Sequence, residues 1–303
     1  RAVYDSYHLD DQSYYGWGDI TDRYSMDFET FAMSVKYDYK PTDWLTITPK
    51  ITYNHQKPWW MEGSRLRTNA WYNDYKHTTE QFTYNLTSIF NISERSNLLV
   101  GAEYYDISAI DKVYQSEFRG RHTIDYDSLS FFAQYELDTD FANFTVGGRY
   151  EDHSYAGGSF VPRVGITKTW DKLHVKALYS MAFRTPQISL ISLGNYTIEP
   201  EETTSYEIEV GYRFNDKVSL TANLFYATIE DILIFDYSGA GEAYFNWDEV
   251  TNYGLETELR VNDDWGSLML AYSIYQNETN DVPAMVTPDD DLLMGAPAHK
   301  FSF

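Results

Sequence analysis

Residues 173–214, LHVKALYSMAFRTPQISLISLGNYTIEPEETTSYEIEVGYRF, hold two long runs of strict period-two alternation joined by the connection 185–203. In the first run Leu173, Val175, Ala177, Tyr179, Met181 and Phe183 share one face while His174, Lys176, Ser180 and Arg184 share the other, because successive side chains of a strand point oppositely. In the second, Tyr206, Ile208, Val210, Tyr212 and Phe214 oppose Glu207, Glu209 and Arg213. Strands of soluble proteins average about 5–6 residues, and these are about twice as long. A strand that crosses a bilayer needs about 9–11 tilted residues with an apolar outside and a polar lumen. Both runs have that length and that polarity, so they read as part of a membrane barrel wall.

The turns extend the reading outward. Short turn signals stand at Lys40–Asp43, Ser93–Asn97, Asp138–Asp140, Asp171–Lys172, Asn215–Lys217 and Asn262–Asp264. Between them lie longer connections near 55–78, 107–126, 153–159, 185–203, 236–243 and 277–297. Short periplasmic turns alternating with longer extracellular loops are the rhythm of an up-and-down membrane barrel. The alternation predicts about thirteen antiparallel strands, the first near 28–40 with Phe31, Met33, Val35, Tyr37 and Tyr39 on the apolar face. Pro49, which removes a ladder hydrogen bond, predicts a bulge. An open wall would leave backbone groups unpaired in lipid, so residues 1–303 are expected to be part of one larger barrel domain.

Composition agrees. Among 303 residues, 28 Tyr, 17 Phe and 8 Trp make an aromatic content of 17%, which suits the girdles of a membrane barrel. Mean hydropathy is −0.50, and no apolar run is long enough for a membrane helix. A barrel escapes that test because alternation halves its hydropathy. The absence of Cys excludes disulfides, thiolate metal sites and a Cys nucleophile. A formal net charge of −23 argues against nucleic acid as a partner.

The motifs Phe183-Arg184-Thr185-Pro186, Glu199-Pro200-Glu201, Tyr206-Glu207 and Gly211-Tyr212 resemble those of the TonB-dependent outer-membrane receptors. Pro162-Arg163-Val164-Gly165 upstream matches in order, as do residues 222–235, Asn246, Gly254-Leu255-Glu256 and Pro297-Ala298-His299-Lys300 downstream. The resemblance implies a 22-stranded barrel with a plugged lumen, of which the plug and both barrel ends lie outside this sequence. It further implies a receptor in the bacterial outer membrane that imports a scarce, large nutrient with energy from the TonB-ExbB-ExbD complex. A ferric siderophore-type chelate is the first expectation, with cobalamin, a glycan or a peptide as alternatives. Lipopolysaccharide and a surface lipoprotein are further expected partners. The haem branch of the family places a His after its Phe-Arg motif, and residues 184–206 contain none.

Two residue groups are candidates for function. Trp59, Trp60, Arg65, Arg67, Trp71 and Tyr72, with Arg119 and Arg121 in a second basic stretch, are expected in outer loops that bind substrate. Trp and Arg concentrate binding energy, and Arg pairs with carboxylate or catecholate oxygens. Arg149, Arg163, Arg184, Glu207, Glu209, Arg213, Glu256, Glu258 and Arg260 are expected to face the lumen and its plug. Their mixed signs suit a wide, hydrated interior, since a narrow one would bury them at heavy desolvation cost. No catalytic set, metal site or cofactor is expected: the seven His lack ligand spacing, and Asp289-Asp290-Asp291 lacks the spaced oxygens of a calcium loop. A passive substrate-specific porin and a soluble β-rich surface adhesin are the competing readings.

Overall fold

The computed structural model describes residues 1–13, 23–62, 76–112, 122–186, 188, 198–236, 243–280 and 297–303. Their strands are β1 (Ala2–Ser13), β2 (Arg23–Lys36), β3 (Tyr39–Thr42), β4 (Leu45–Glu62), β5 (Lys76–Ser93), β6 (Ser96–Asp111), β7 (Thr123–Asp138) and β8 (Asn143–His153). They continue as β9 (Gly157–Thr169), β10 (Leu173–Arg184), β11 (Glu201–Arg213), β12 (Val218–Asp236), β13 (Ala243–Asp263), β14 (Gly266–Asn280) and β15 (His299–Ser302). All fifteen belong to one sheet in which sequence neighbours pair antiparallel, with only β3 off the path, against β4. This is the all-β, up-and-down architecture of a barrel wall.

Two strands go beyond the expected thirteen. β1 pairs with β2 from Ala2↔Met33 to Ser13↔Arg23. Most of it lies above the apolar belt, where neither face is apolar, so period two carries no signal there. β3 is the far end of the predicted first strand, cut off at Tyr37 and Asp38.

Pro49 makes that cut, and the predicted bulge is absent. Thr48, Pro49 and Lys50 keep one register with Thr87, Leu86 and Asn85 of β5. On the other side the Pro49 carbonyl accepts the Tyr37 N–H at 3.1 Å. The Pro49 nitrogen faces the same neighbour, so the missing N–H interrupts the partner strand instead of shifting the register.

The inner ends close in the short turns 43–44, 94–95, 139–142, 170–172, 214–217 and 264–265. Trp44, Trp170 and Trp265 stand exposed in three of these, one edge of an aromatic girdle. Outside the membrane at this end, Asp263 is held below the usual carboxylate range by the Lys217 ammonium and the Asp264 N–H. The outer connection expected at 153–159 is instead a tight turn, 154–156. His153 Nδ1 accepts the N–H of Tyr155 (3.2 Å) and Ala156 (3.1 Å), and Gly157 takes the left-handed φ of 76° that a side chain would resist.

Register converts the alternation into rows around the outside. Ile166, Ala177, Ile208, Leu224 and Leu255 stand side by side on β9 to β13. Directly above runs Val164, Tyr179, Tyr206, Tyr226 and Tyr253, and then Met181, Thr204, Thr228 and Thr251. The next row, Phe183, Glu202, Glu230 and Glu249, sets three carboxylates in line. Adjacent like charges repel, and that row belongs in water. The sequence aliphatic, tyrosine, threonine, glutamate therefore marks the upper boundary of the lipid.

Buried apolar clusters occur only near the outer ends among the described residues. One joins Ile232, Ile234 and Val250 with Ile229 and Trp247, and another joins Ala109 and Ile124 with Tyr126 and Ile188. Mid-wall residues are open instead: Phe131 and Ile208 are each 54% exposed and Leu224 57%. Such a belt is stable only against hydrocarbon. Ile208→Arg, near mid-belt, is expected to destabilise the barrel by about 2–4 kcal/mol, and Tyr212→Arg beside the inner turn by about 0–1 kcal/mol. Unfolding of the two variants in bilayers measures the gradient; equal penalties would mean that this face does not meet lipid.

Candidate functional site: the polar inner wall

The opposite face of the same strands carries the polar chemistry. On β5 to β8 one network crosses four strands. The Thr87 hydroxyl donates to Asn85 Oδ1 (2.9 Å), and Asn85 Nδ2 donates to Glu103 Oε2 (3.2 Å). Arg149 Nη2 reaches Glu103 Oε1 at 3.0 Å and Glu151 Oε2 at 2.7 Å, and the Tyr105 hydroxyl donates to Glu151 Oε1 at 3.3 Å. The guanidinium also lies 5.9 Å from the Phe132 ring. Beside this network the buried His153 ring packs 4.9 Å from Tyr126.

On β10 to β13, His174 Nε2 lies 2.9 Å from Glu209 Oε1, and the Ser205 hydroxyl donates to Glu207 Oε1 (3.3 Å). Gly211 leaves room for the His174 ring: a Cβ there would come within 1.9 Å of the imidazole, which would have to turn away. Arg260 pairs with Glu258 on its own strand. Glu209, Glu256, Glu258, Arg260 and Lys300 line a polar cavity of about 600 Å³ together with Asn223.

A clasp fixes the outer rim. Buried Glu201 pairs with Arg184 and accepts the Leu233 N–H at 2.8 Å. Asn246 accepts the Glu199 N–H (2.7 Å) and donates to the carbonyls of Glu199 (2.9 Å) and Asp231 (2.8 Å). Asp231 has the positive φ of 55° that turns its carbonyl toward this amide.

The arrangement combines a lipid-facing apolar belt, a polar interior and a clasped rim. A family model described as TonB dependent receptor-like, β-barrel, matches residues 1–303. The chain belongs to that family. It is a receptor barrel wall of the Gram-negative outer membrane.

Solved structures with the same fold include the siderophore receptor PirA from Acinetobacter baumannii, with a TM-score of 0.66 at 17% identity over 85% of this chain and 46% of that one. The FrpB iron transporter from Neisseria meningitidis has a TM-score of 0.68 at 13% identity over 88% and 47%. A mutant of the ferric enterobactin receptor PfeA from Pseudomonas aeruginosa gives 0.65 at 15% identity over 84% and 43%. The receptor barrel thus spans about half the length of these structures. No curated protein sequence matches it.

The expected residues sort unevenly. Arg149, Arg163, Glu207, Glu209, Arg213, Glu256, Glu258 and Arg260 all fall on the strand face opposite the apolar belt, and Arg184 pairs with Glu201 at the rim. Trp59 and Trp60 do not stand in a loop, since β4 runs on to Glu62. Trp60 lies 5.4 Å from the ammonium groups of both Lys57 and Lys76. Arg65, Arg67, Trp71, Tyr72, Arg119 and Arg121 lie outside the described residues, as does Asp289-Asp290-Asp291. Glu103 and Tyr105 were missed, although their alternation with Val100, Ala102 and Tyr104 marks them as inward-facing. Glu201 was seen in a motif without its role.

Most inner arginines are already engaged. Arg149, Arg184 and Arg260 face carboxylates, and Arg213 donates to the Asp171 carbonyl at 3.0 Å. Arg163 and Arg213 make no ion pair with any described residue. Replacing Arg149 by Met leaves Glu103 and Glu151 confronting each other, and is expected to cost about 1–3 kcal/mol in this half-buried site. Adding Glu151→Gln should restore part of that loss in a urea titration; no loss in the single variant would show that the network does not hold the wall.

Proposed function

We propose that the receptor barrel is part of an outer-membrane active transporter that captures a ferric siderophore-type chelate and admits it with energy from the TonB-ExbB-ExbD complex. The observation that carries this reading is the polar face opposite the apolar belt, on which Arg149, Arg184 and Arg260 meet carboxylates and whose mixed charges suit a wide, hydrated interior. A passage of that kind suits a large polar solute better than a narrow pore would. The shared fold of the siderophore receptor PirA, the iron transporter FrpB and the ferric enterobactin receptor PfeA supports iron chelates ahead of cobalamin, glycan or peptide. A plug domain and further strands outside residues 1–303 complete the proposed receptor, with lipopolysaccharide around it and a surface lipoprotein as a further partner.

Uptake assays test the proposal. Iron-starved cells that lack the whole receptor are expected to lose uptake of one labelled ferric siderophore from a panel, and disruption of TonB should abolish the same uptake. Uptake that survives TonB disruption would favour a passive porin. Unchanged iron uptake with lost uptake of cobalamin, a glycan or a peptide would move the substrate class.

A further inference from the structure

The outer turn between β8 and β9 is closed by a titratable ring. His153 Nδ1 accepts the Tyr155 N–H at 3.2 Å and the Ala156 N–H at 3.1 Å, so its lone pair is committed and the neutral ring carries its proton on Nε2. That Nε2 is buried and has no partner among the described residues. The whole residue is 2% exposed, and its ring packs 4.9 Å from Tyr126. At the opposite end of the wall, the turn after β11 has the same closure made by an amide: Asn215 Oδ1 accepts the N–H of Lys217 at 2.9 Å and of Val218 at 3.0 Å. The two acceptors stand in the same relation to their turns, but an imidazole titrates near neutral pH and an amide oxygen does not.

A second proton can enter the ring only at Nδ1. There it turns the acceptor into a donor that faces two N–H donors, and both closing bonds are lost. The titratable and charged groups around the ring are Tyr105 of β6, Tyr126 and Asp127 of β7, Arg149, Glu151 and Asp152 of β8, and Tyr155 of the turn, while β9 sets Gly157 opposite it. Burial disfavours the imidazolium and outweighs the pull of Glu151, Asp127 and Asp152, so the ring is held below the ordinary histidine range. The turn lies outside the membrane, in contact with the external medium. Its closure is therefore complete above about pH 6.5, the ordinary histidine value, and weakens as the pH falls below it. We propose that His153 is a pH-sensitive latch of the outer rim, which closes the β8–β9 turn when neutral and opens it when protonated. The latch does not depend on which solute the receptor carries.

Hydrogen exchange of the whole receptor in lipid nanodiscs, corrected for the intrinsic effect of pH on exchange, tests the latch. Between about pH 7.5 and about pH 5, protection of the Tyr155 and Ala156 amides is expected to fall about tenfold, the equivalent of one pKa unit, while Lys217 and Val218 keep theirs. His153→Asn supplies at the outer turn the acceptor that Asn215 supplies at the inner one, and should hold protection at both pH values. His153→Ala should lose it at both. Protection in the parent that does not change with pH would overturn the latch, as would equal loss at the two turns or a His153→Asn variant that still opens in acid. If a variant does not insert, the comparison of the two turns within the parent decides the matter by itself. Because the readout is amide protection, its failure is separate from any failure of the uptake proposal.

Discussion

Backbone hydrogen bonding in hydrocarbon is the constraint on which the rest of this wall depends. An N–H or C=O without a partner in lipid costs several kcal/mol, so each strand must be paired along its length on both sides. This explains why sequence neighbours pair with few register breaks across the belt. The register shifts next to Leu9, Asp27, Gln56 and Thr251 fall near the outer ends, while those next to Tyr39 and Asn91 fall near the inner turns. Pro49 obeys the same constraint: it keeps its register with β5 and confines its missing donor to the β2–β3 side.

Once pairing fixes the register, each side chain is assigned to one of two solvents. Outside, polarity climbs in steps from Ile208 and Leu224 through Tyr206 and Tyr226 to Glu202 and Glu230. Inside, no such gradient is possible because every level faces a polar interior. Stability there comes from matching charges across strands, as when Arg149 of β8 binds Glu103 of β6. Partial hydration lowers the desolvation cost of these ions, so they can be held on an open wall without being sealed in a core.

This division also explains what could be read from the sequence. Where one face meets lipid, period two is strong, and strands such as β7, β10 and β11 are legible residue by residue. Above the lipid neither face keeps a single polarity, as Ile232 and Ile234 beside Asp231 on β12 show, so β1 and the outer extensions of β4, β5, β12 and β13 lose their period-two signature. Trp59 and Trp60 were assigned to a loop for this reason. The inner faces of Glu207, Glu209, Glu256 and Glu258 followed from parity alone. Their partners did not, because parity gives the face of a side chain but not its height relative to the next strand. The triad of Glu103, Arg149 and Glu151 and the clasp from Asn246 to Glu199 both depend on that relative height.

Charge pairing constrains how such a wall can handle an anionic solute. A guanidinium held by two carboxylates, as at Arg149, presents little net positive charge, and releasing it would leave Glu103 and Glu151 opposed. Arg184 and Arg260 are similarly committed. These arginine pairs therefore offer little net positive charge to an anion, which in the proposed receptor suits a passage that must release its solute. In that proposal, strong capture of an anionic chelate draws on cations beyond these pairs, and the residues expected for it from the sequence, Arg65, Arg67, Arg119 and Arg121, lie outside the described residues. The proposed function thus divides capture and passage between different parts of the chain.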